Sequence, residues 1–219
     1  MTSPSLGTTI RISIFSTMTI LTSLCRTNLG ILSQKVALMD VLIARKGVDG
    51  AKELYKSVCP MVGASMGQHV RHSMDHMELA ILVADPSHPS ETEDPPDIHY
   101  DLRVRGGTAE HDMDEARKRI DNVSTVLRSI ASGSGRYQDH VWDPVRAHFM
   151  LSGDGQEFEL QSSIGRELGF AAHHAIHHMA TVKLIAVHHA GLDEKDLPAD
   201  FGRAPSTVHH DHQQEQQQQ

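Results

Sequence analysis

Apolar side chains recur at helical spacing along four stretches of this chain. The first spans residues 29–44, where Leu32, Val36, Met39 and Leu42 with Ile43 fall on one face. Gly47 and Gly50 loosen the chain beyond it, and Lys52–Ser57 reads as a further helical turn. The second spans 64–84, with Met66, Val70, Met77, Ile81 and Ala84 at steps of four, seven, four and three. Pro86 and Pro89 end it, because proline cannot continue the backbone ladder. A Pro-, Asp-, Glu- and Ser-rich loop follows over Ser87–Asp97. The third helix starts near Asp112, which stands at capping-box spacing from Glu115. Its stripe is Met113, Ala116, Ile120, Val123, Leu127 and Ile130, and Gly133-Ser134-Gly135 stops it. The polar segment 136–159 leaves room for a hairpin-like excursion around Val141–Leu151. The fourth helix spans 162–190 on Ile164, Leu168, Ala171, Ala175, Val182 and Ala186, with Gly191 as its stop and Pro198 beyond. Nothing alternates with period two over a useful length. The pattern therefore predicts an all-α fold, a four-helix bundle with long inter-helix connections that admit a crossover topology.

The ends read differently from the middle. Residues 1–28 form an N-terminal extension, 29–207 the bundle, and 208–219 (VHHDHQQEQQQQ) a disordered tail that cannot build a core. Residues 1–39 lack Asp and Glu and carry Arg11, Arg26 and Lys35 among many Ser and Thr, the composition of an organelle transit segment. The expectation is a cytoplasmic protein, with a mitochondrial or other organelle location as the alternative. The apolar run Ile10–Cys25 is short for a membrane span and is interrupted by Arg11 and hydroxyls.

Composition narrows the function classes. The formal charge of −8 removes the basic footprint that a nucleic acid or an anionic membrane surface requires. Aromatics at 4% argue against a stacking platform for bases or sugars. Two cysteines, Cys25 and Cys59, make no disulfide scaffold, and Cys59 has no evident partner to activate it as a nucleophile.

The chemistry lies in the 17 histidines, because they cluster. His69, His72 and His76 stand three and four residues apart on the second helix, hence on one side of it. On the fourth helix, His174 and His178 are one turn apart, as are His173 and His177. At about 100° per residue, His174 and His178 border the apolar stripe, whereas His173 and His177 turn away. The same wheel does not choose among His69, His72 and His76. Two imidazoles at i and i+4 present both rings to one ion, and a third from a facing helix leaves a coordination position open. Ala175 stands where an HExxH motif would carry its glutamate, so the general base of that motif is absent. Asp75 and Glu78 are candidates to orient an imidazole. Arg103, Arg105 and Arg166 are candidates to bind an anionic group.

Ser65-Met66-Gly67-Gln68-His69-Val70-Arg71-His72, followed by Asp75-His76, resembles the entry to the second helix of DinB-like proteins. Arg166-Glu167-Leu168 with His174-Ala175-Ile176-His177-His178 resembles that family's HxxxH helix, and Asp200-Phe201-Gly202 with Ala204–Thr207 a tail of one uncharacterised branch. The resemblance implies a bundle holding a divalent metal on three histidines, which fall here on His72, His174 and His178. Zinc or nickel is expected, with iron also compatible with imidazole. It further implies a metal-dependent transferase or isomerase that uses a low-molecular-weight thiol and a small electrophilic substrate. Analogy adds a homodimer. A metal-assisted hydrolase and a non-catalytic metal-binding or stress-response bundle are the alternatives. The extra histidines His69, His76, His173 and His177 depart from the family pattern and leave ligand choice open.

Overall fold

A computed structural model describes residues 14–85, 94–102, 106–132 and 140–217, with side chains from residue 20 onward. The order is α1 (Ile14–Lys56), α2 (Met66–Ala84), β1 (Asp97–His99), α3 (Met113–Ser132), β2 (Pro144–Met150), β3 (Glu157–Ser163), α4 (Ile164–His188) and α5 (Pro205–Gln217). Short 3-10 turns lie at 108–110, 140–142 and 194–196. Helices α1 and α2 each pack against both α3 and α4, and the core runs between them.

The all-α four-helix bundle is corrected: the fold is mixed α/β. Strands β1, β2 and β3 form one sheet in that order, with β1 parallel and β3 antiparallel to β2. The reason is legible afterwards in β2. Val145 and Ala147 are buried and Phe149 half-buried on one side, while Arg146 and His148 turn to the other. That is period-two alternation, but it lasts seven residues and rests partly on an alanine. The hairpin expected around 141–151 has its first strand there, yet its second runs through 157–163. Ile98 within β1 and Tyr100 just after it are almost fully buried, so the sheet closes over the face of α2 and α4.

The helices also differ in detail from the sequence reading. Helix α1 begins at Ile14, well upstream of residue 29, and runs on to Lys56 with one break at Gly47 (φ 73°, ψ 168°). That left-handed φ suits glycine and kinks the helix where loosening was expected. By length and composition, α1 could cross a membrane from Ile20 onward, but Cys25, Leu32, Leu38, Met39 and Leu42 are buried in the protein core. Residues 205–217 form α5 rather than a disordered tail, and Arg203 ties it back through Asp211. The Gly-Ser-Gly stop at 133–135, the segment 86–93, residues 1–13 and the arginines 103 and 105 lie outside the described residues.

Two local devices set α2 in place. Ser65 Oγ accepts from Gln68 N at 3.1 Å while Gln68 Oε1 accepts from Ser65 N at 3.0 Å, a reciprocal capping box worth about 1 kcal/mol. Gly67 lets the Thr108–Glu110 turn press onto the helix. A Cβ there would stand 2.1 Å from Glu110 O and 2.7 Å from Tyr55 Cε1. At α3, Asp112 Oδ1 accepts from the backbone of Asp114 and Glu115, as the sequence spacing implied.

Candidate metal centre

The capped start of α2 and the middle of α4 face each other, and their histidines meet between them. His174 Nε2 lies 3.1 Å from His72 Nε2 and 3.1 Å from His178 Nε2. Neighbouring nitrogens around one ion with bonds of 2.0–2.1 Å stand about 2.9 Å apart at right angles and about 3.4 Å apart in a tetrahedron. The observed 3.1 Å falls inside that interval for both pairs that include His174, and one donor atom from each of the three residues lies within 4.8 Å of the others, which suits a shared ion. All three are half-buried, which makes the set reachable from solvent on one side.

Electrostatics prepare the same state. Burial, and then the neighbouring rings of His174, His72, His69 and His177, push the His178 pKa down to about 2. Burial, with His177 nearby, also lowers that of His69. Neutral imidazole is the form that offers a lone pair to a metal.

The other histidines of the two clusters divide by position. His69 Nδ1 meets His178 Nδ1 at 2.7 Å, so it engages the nitrogen of His178 that faces away from the cluster. A partner there fixes the ring's tautomer and orientation. His76 is buried and stacks on His174, with ring centroids 3.9 Å apart, and stands edge-on to His72 at 4.7 Å. His173 and His177 are exposed on α4, as the wheel anticipates.

Behind His76 lies a group of side chains that the sequence reading did not single out as site residues. Tyr100 stacks on His76 at 4.8 Å, and Phe170 and Phe149 pack around Tyr100. The Tyr100 hydroxyl donates to Glu167 Oε2 at 2.7 Å, and burial together with that carboxylate holds the phenol protonated. Glu167 is fully buried, and its other oxygen accepts from Ser162 and Arg166. Glu167 sits beside Leu168 on the line between Ile164 and Ala171, a charge on an apolar stripe, and that was the available signal. Tyr100 follows a three-residue strand and gave none.

Other candidates do not join the centre. Asp75 and Glu78 accept from Arg119, and Asp75 also from Arg71, so both carboxylates serve arginines. Arg166 lies over the Phe170 ring, with its guanidinium carbon 5.1 Å from the centroid, and serves Glu167. Cys25 and Cys59 are buried, and burial pushes the Cys25 thiol up to about 11. The tail histidines His209, His210 and His212 are exposed on α5. A cavity of about 270 Å³ opens beside the cluster and is lined by Ala64, Gln68, His69, Arg71, His72, Gly106, Glu110 and His178.

Comparison with known proteins adds little to this geometry. No family model matches the chain, so the DinB-like resemblance has no family match behind it. FK506-binding protein 5 of Rhizopus delemar is 35% identical over 114 residues, which is 52% of this chain. The match covers only 27% of that protein's length. No solved structure matches.

Proposed function

We propose that the protein is a divalent-metal enzyme whose ion is held by His72, His174 and His178. The observation that carries the reading is the convergence of three imidazole Nε2 atoms beside an open cavity. Zinc or nickel suits the all-nitrogen donor set, and iron is compatible with it. A bound ion of this kind lowers the pKa of a thiol or water and polarises an electrophile.

The chain's own residues supply the rest. His69 orients His178 through its Nδ1. The Glu167–Tyr100–His76 column backs His174 and excludes water from its buried side. Arg71, fixed by Glu110 at 2.7 Å and Asp75 at 2.5 Å, gives the cavity a polar wall together with Gln68 and Glu110. His69 engages the Nδ1 of His178 rather than the Nε2 cluster, so an ion held by His72, His174 and His178 would keep room for a further ligand from the cavity side. That favours catalysis over storage. The choice of a low-molecular-weight thiol as co-substrate, with transfer or isomerisation as the reaction, rests on the sequence resemblance.

The test is cobalt substitution. Adding a low-molecular-weight thiol to the Co²⁺-loaded protein should produce sulfur-to-cobalt charge-transfer absorption in the near ultraviolet. His174→Ala should abolish it. Absence of that band in protein shown to hold cobalt would overturn the thiol reading.

A further inference from the structure

The strand that delivers Tyr100 to the first cluster also splits its residues between two faces. Ile98 points inward, whereas Asp97 and His99 lie on the outer face of the sheet. The parallel register sets Asp97 beside Arg146 and His99 beside His148. The antiparallel register sets Glu159 beside His148 and brings Glu157 to the same face. Two imidazoles and three carboxylates thus share one side of the sheet, away from α2 and α4.

The contacts are those of a ligand set. His148 Nε2 is 2.7 Å from Asp97 Oδ1. The rings of His99 and His148 stack at 4.2 Å with 16° between planes. His99 Nδ1 meets Glu157 Oε2 at 2.8 Å. The other oxygen, Glu157 Oε1, is buried with no hydrogen-bond partner among the described residues. Leaving a buried carboxylate oxygen unpartnered is costly, and a cation held nearby on the same face offsets part of that cost electrostatically. One donor atom each from Asp97, His99 and His148 lie within 4.8 Å of one another.

We propose that Asp97, His99 and His148 form a second divalent-metal site on the outer face of the sheet, with Glu157 beside His99 as a neighbouring carboxylate. The ion takes the place of the proton between Asp97 Oδ1 and His148 Nε2. Their 2.7 Å separation is close to the roughly 2.9 Å edge of two ligands at right angles. Arg146 contacts both Asp97 oxygens at 2.8 Å and opposes the ion electrostatically. Glu157 and Glu159 outweigh that single positive charge, and a carboxylate's four lone-pair positions let Asp97 serve both. Mixed imidazole and carboxylate donors select zinc or a neighbouring first-row ion. With His99 and Asp97 at 42% and 39% side-chain exposure, the ion exchanges readily with solvent.

The experiment uses the full chain with His209, His210 and His212 changed to Gln, so that the tail contributes no imidazole. Zn²⁺ alone is the probe, titrated calorimetrically into chelator-stripped protein. Two equivalents are expected, and His72→Ala with His174→Ala should leave one. His148→Ala in that background should weaken the remaining equivalent at least tenfold, since even loss of an outer partner costs ten- to a hundredfold. If the first-site double variant does not melt cooperatively, His99→Gln in the tail-substituted parent should instead lower two equivalents to one. The proposal is overturned if the folded double variant binds no zinc, or if His148→Ala or His99→Gln leaves the stoichiometry and affinity unchanged.

Discussion

Replacing Lys35 by Met should stabilise the protein at neutral pH, and the gain should fade as pH rises. Lys35 is fully buried, and its ammonium donates to Ser73 Oγ at 2.7 Å. Burial strips the charge of water and Arg119 repels it, while Glu78 and Asp75 act in the opposite sense. The result is a pKa pushed down from 10.5 to about 7. Between these two values the unfolded chain binds more protons at this position than the folded chain does. Wild-type stability therefore rises with pH over that window, and below about pH 7 the full penalty is present. At about 1.4 kcal/mol per pK unit, that penalty approaches 5 kcal/mol at its upper bound. Methionine has nearly the same length and carries no charge, and Ser73 keeps Val70 O as its acceptor at 2.9 Å. Urea unfolding of both proteins at pH 7, 8 and 9 and constant ionic strength measures the effect. The advantage of Lys35→Met should shrink by about 2 kcal/mol between pH 7 and 9. Parallel stability profiles, with a gap independent of pH, would refute the reasoning.

Further expectations follow from the site's supports. Gly67→Ala forces a Cβ into Glu110 O and should cost at least about 1–3 kcal/mol in denaturant unfolding, whereas Gly30→Ala, which meets nothing within 4 Å, should cost none. Tyr100→Phe removes a buried hydrogen bond to a carboxylate, about 1.5–3 kcal/mol. It should lower the melting temperature by roughly 5 °C and leave metal stoichiometry unchanged, because the ring still stacks on His76. His69→Gln should keep the first metal equivalent but weaken its binding about 10–100-fold, read by chelator competition.

How much of this was legible depended on the length of each pattern. The stripes of α2, α3 and α4 run over five turns or more, so periodicity located them, with Asp112 marking the start of α3 and Gly191 the end of α4; the Ser65 cap of α2 became visible only in the structure. The HxxxH spacing placed His174 and His178 on one edge of α4, and the structure brings both to His72. The wheel could not separate His72 from His69 and His76, because that choice depends on which ring nitrogen faces α4 across the helix pair. The sheet escaped because β1 has three residues and the alternation in β2 depends on Ala147. With the sheet went the outer cluster of Asp97, His99 and His148, in which His148 lies about fifty residues from the other two and meets them only through strand register. The tail misled for the opposite reason: its Gln- and His-rich composition looks unstructured, yet Arg203 and Asp211 anchor a helix.

The central claim, an ion on three converging imidazoles, is tested most directly by metal analysis. The 219-residue chain, with its tail histidines replaced by Gln, would be loaded with Zn²⁺, dialysed against a weak chelator and assayed beside His72→Ala, His174→Ala and His178→Ala. The account predicts about one retained equivalent in the parent, the readily exchanging ion of the outer site being removed by the chelator, and little in each variant, since an imidazole pair lacks the third protein ligand of such sites. No retained metal in folded parent protein, or equal retention in the three variants, would contradict it.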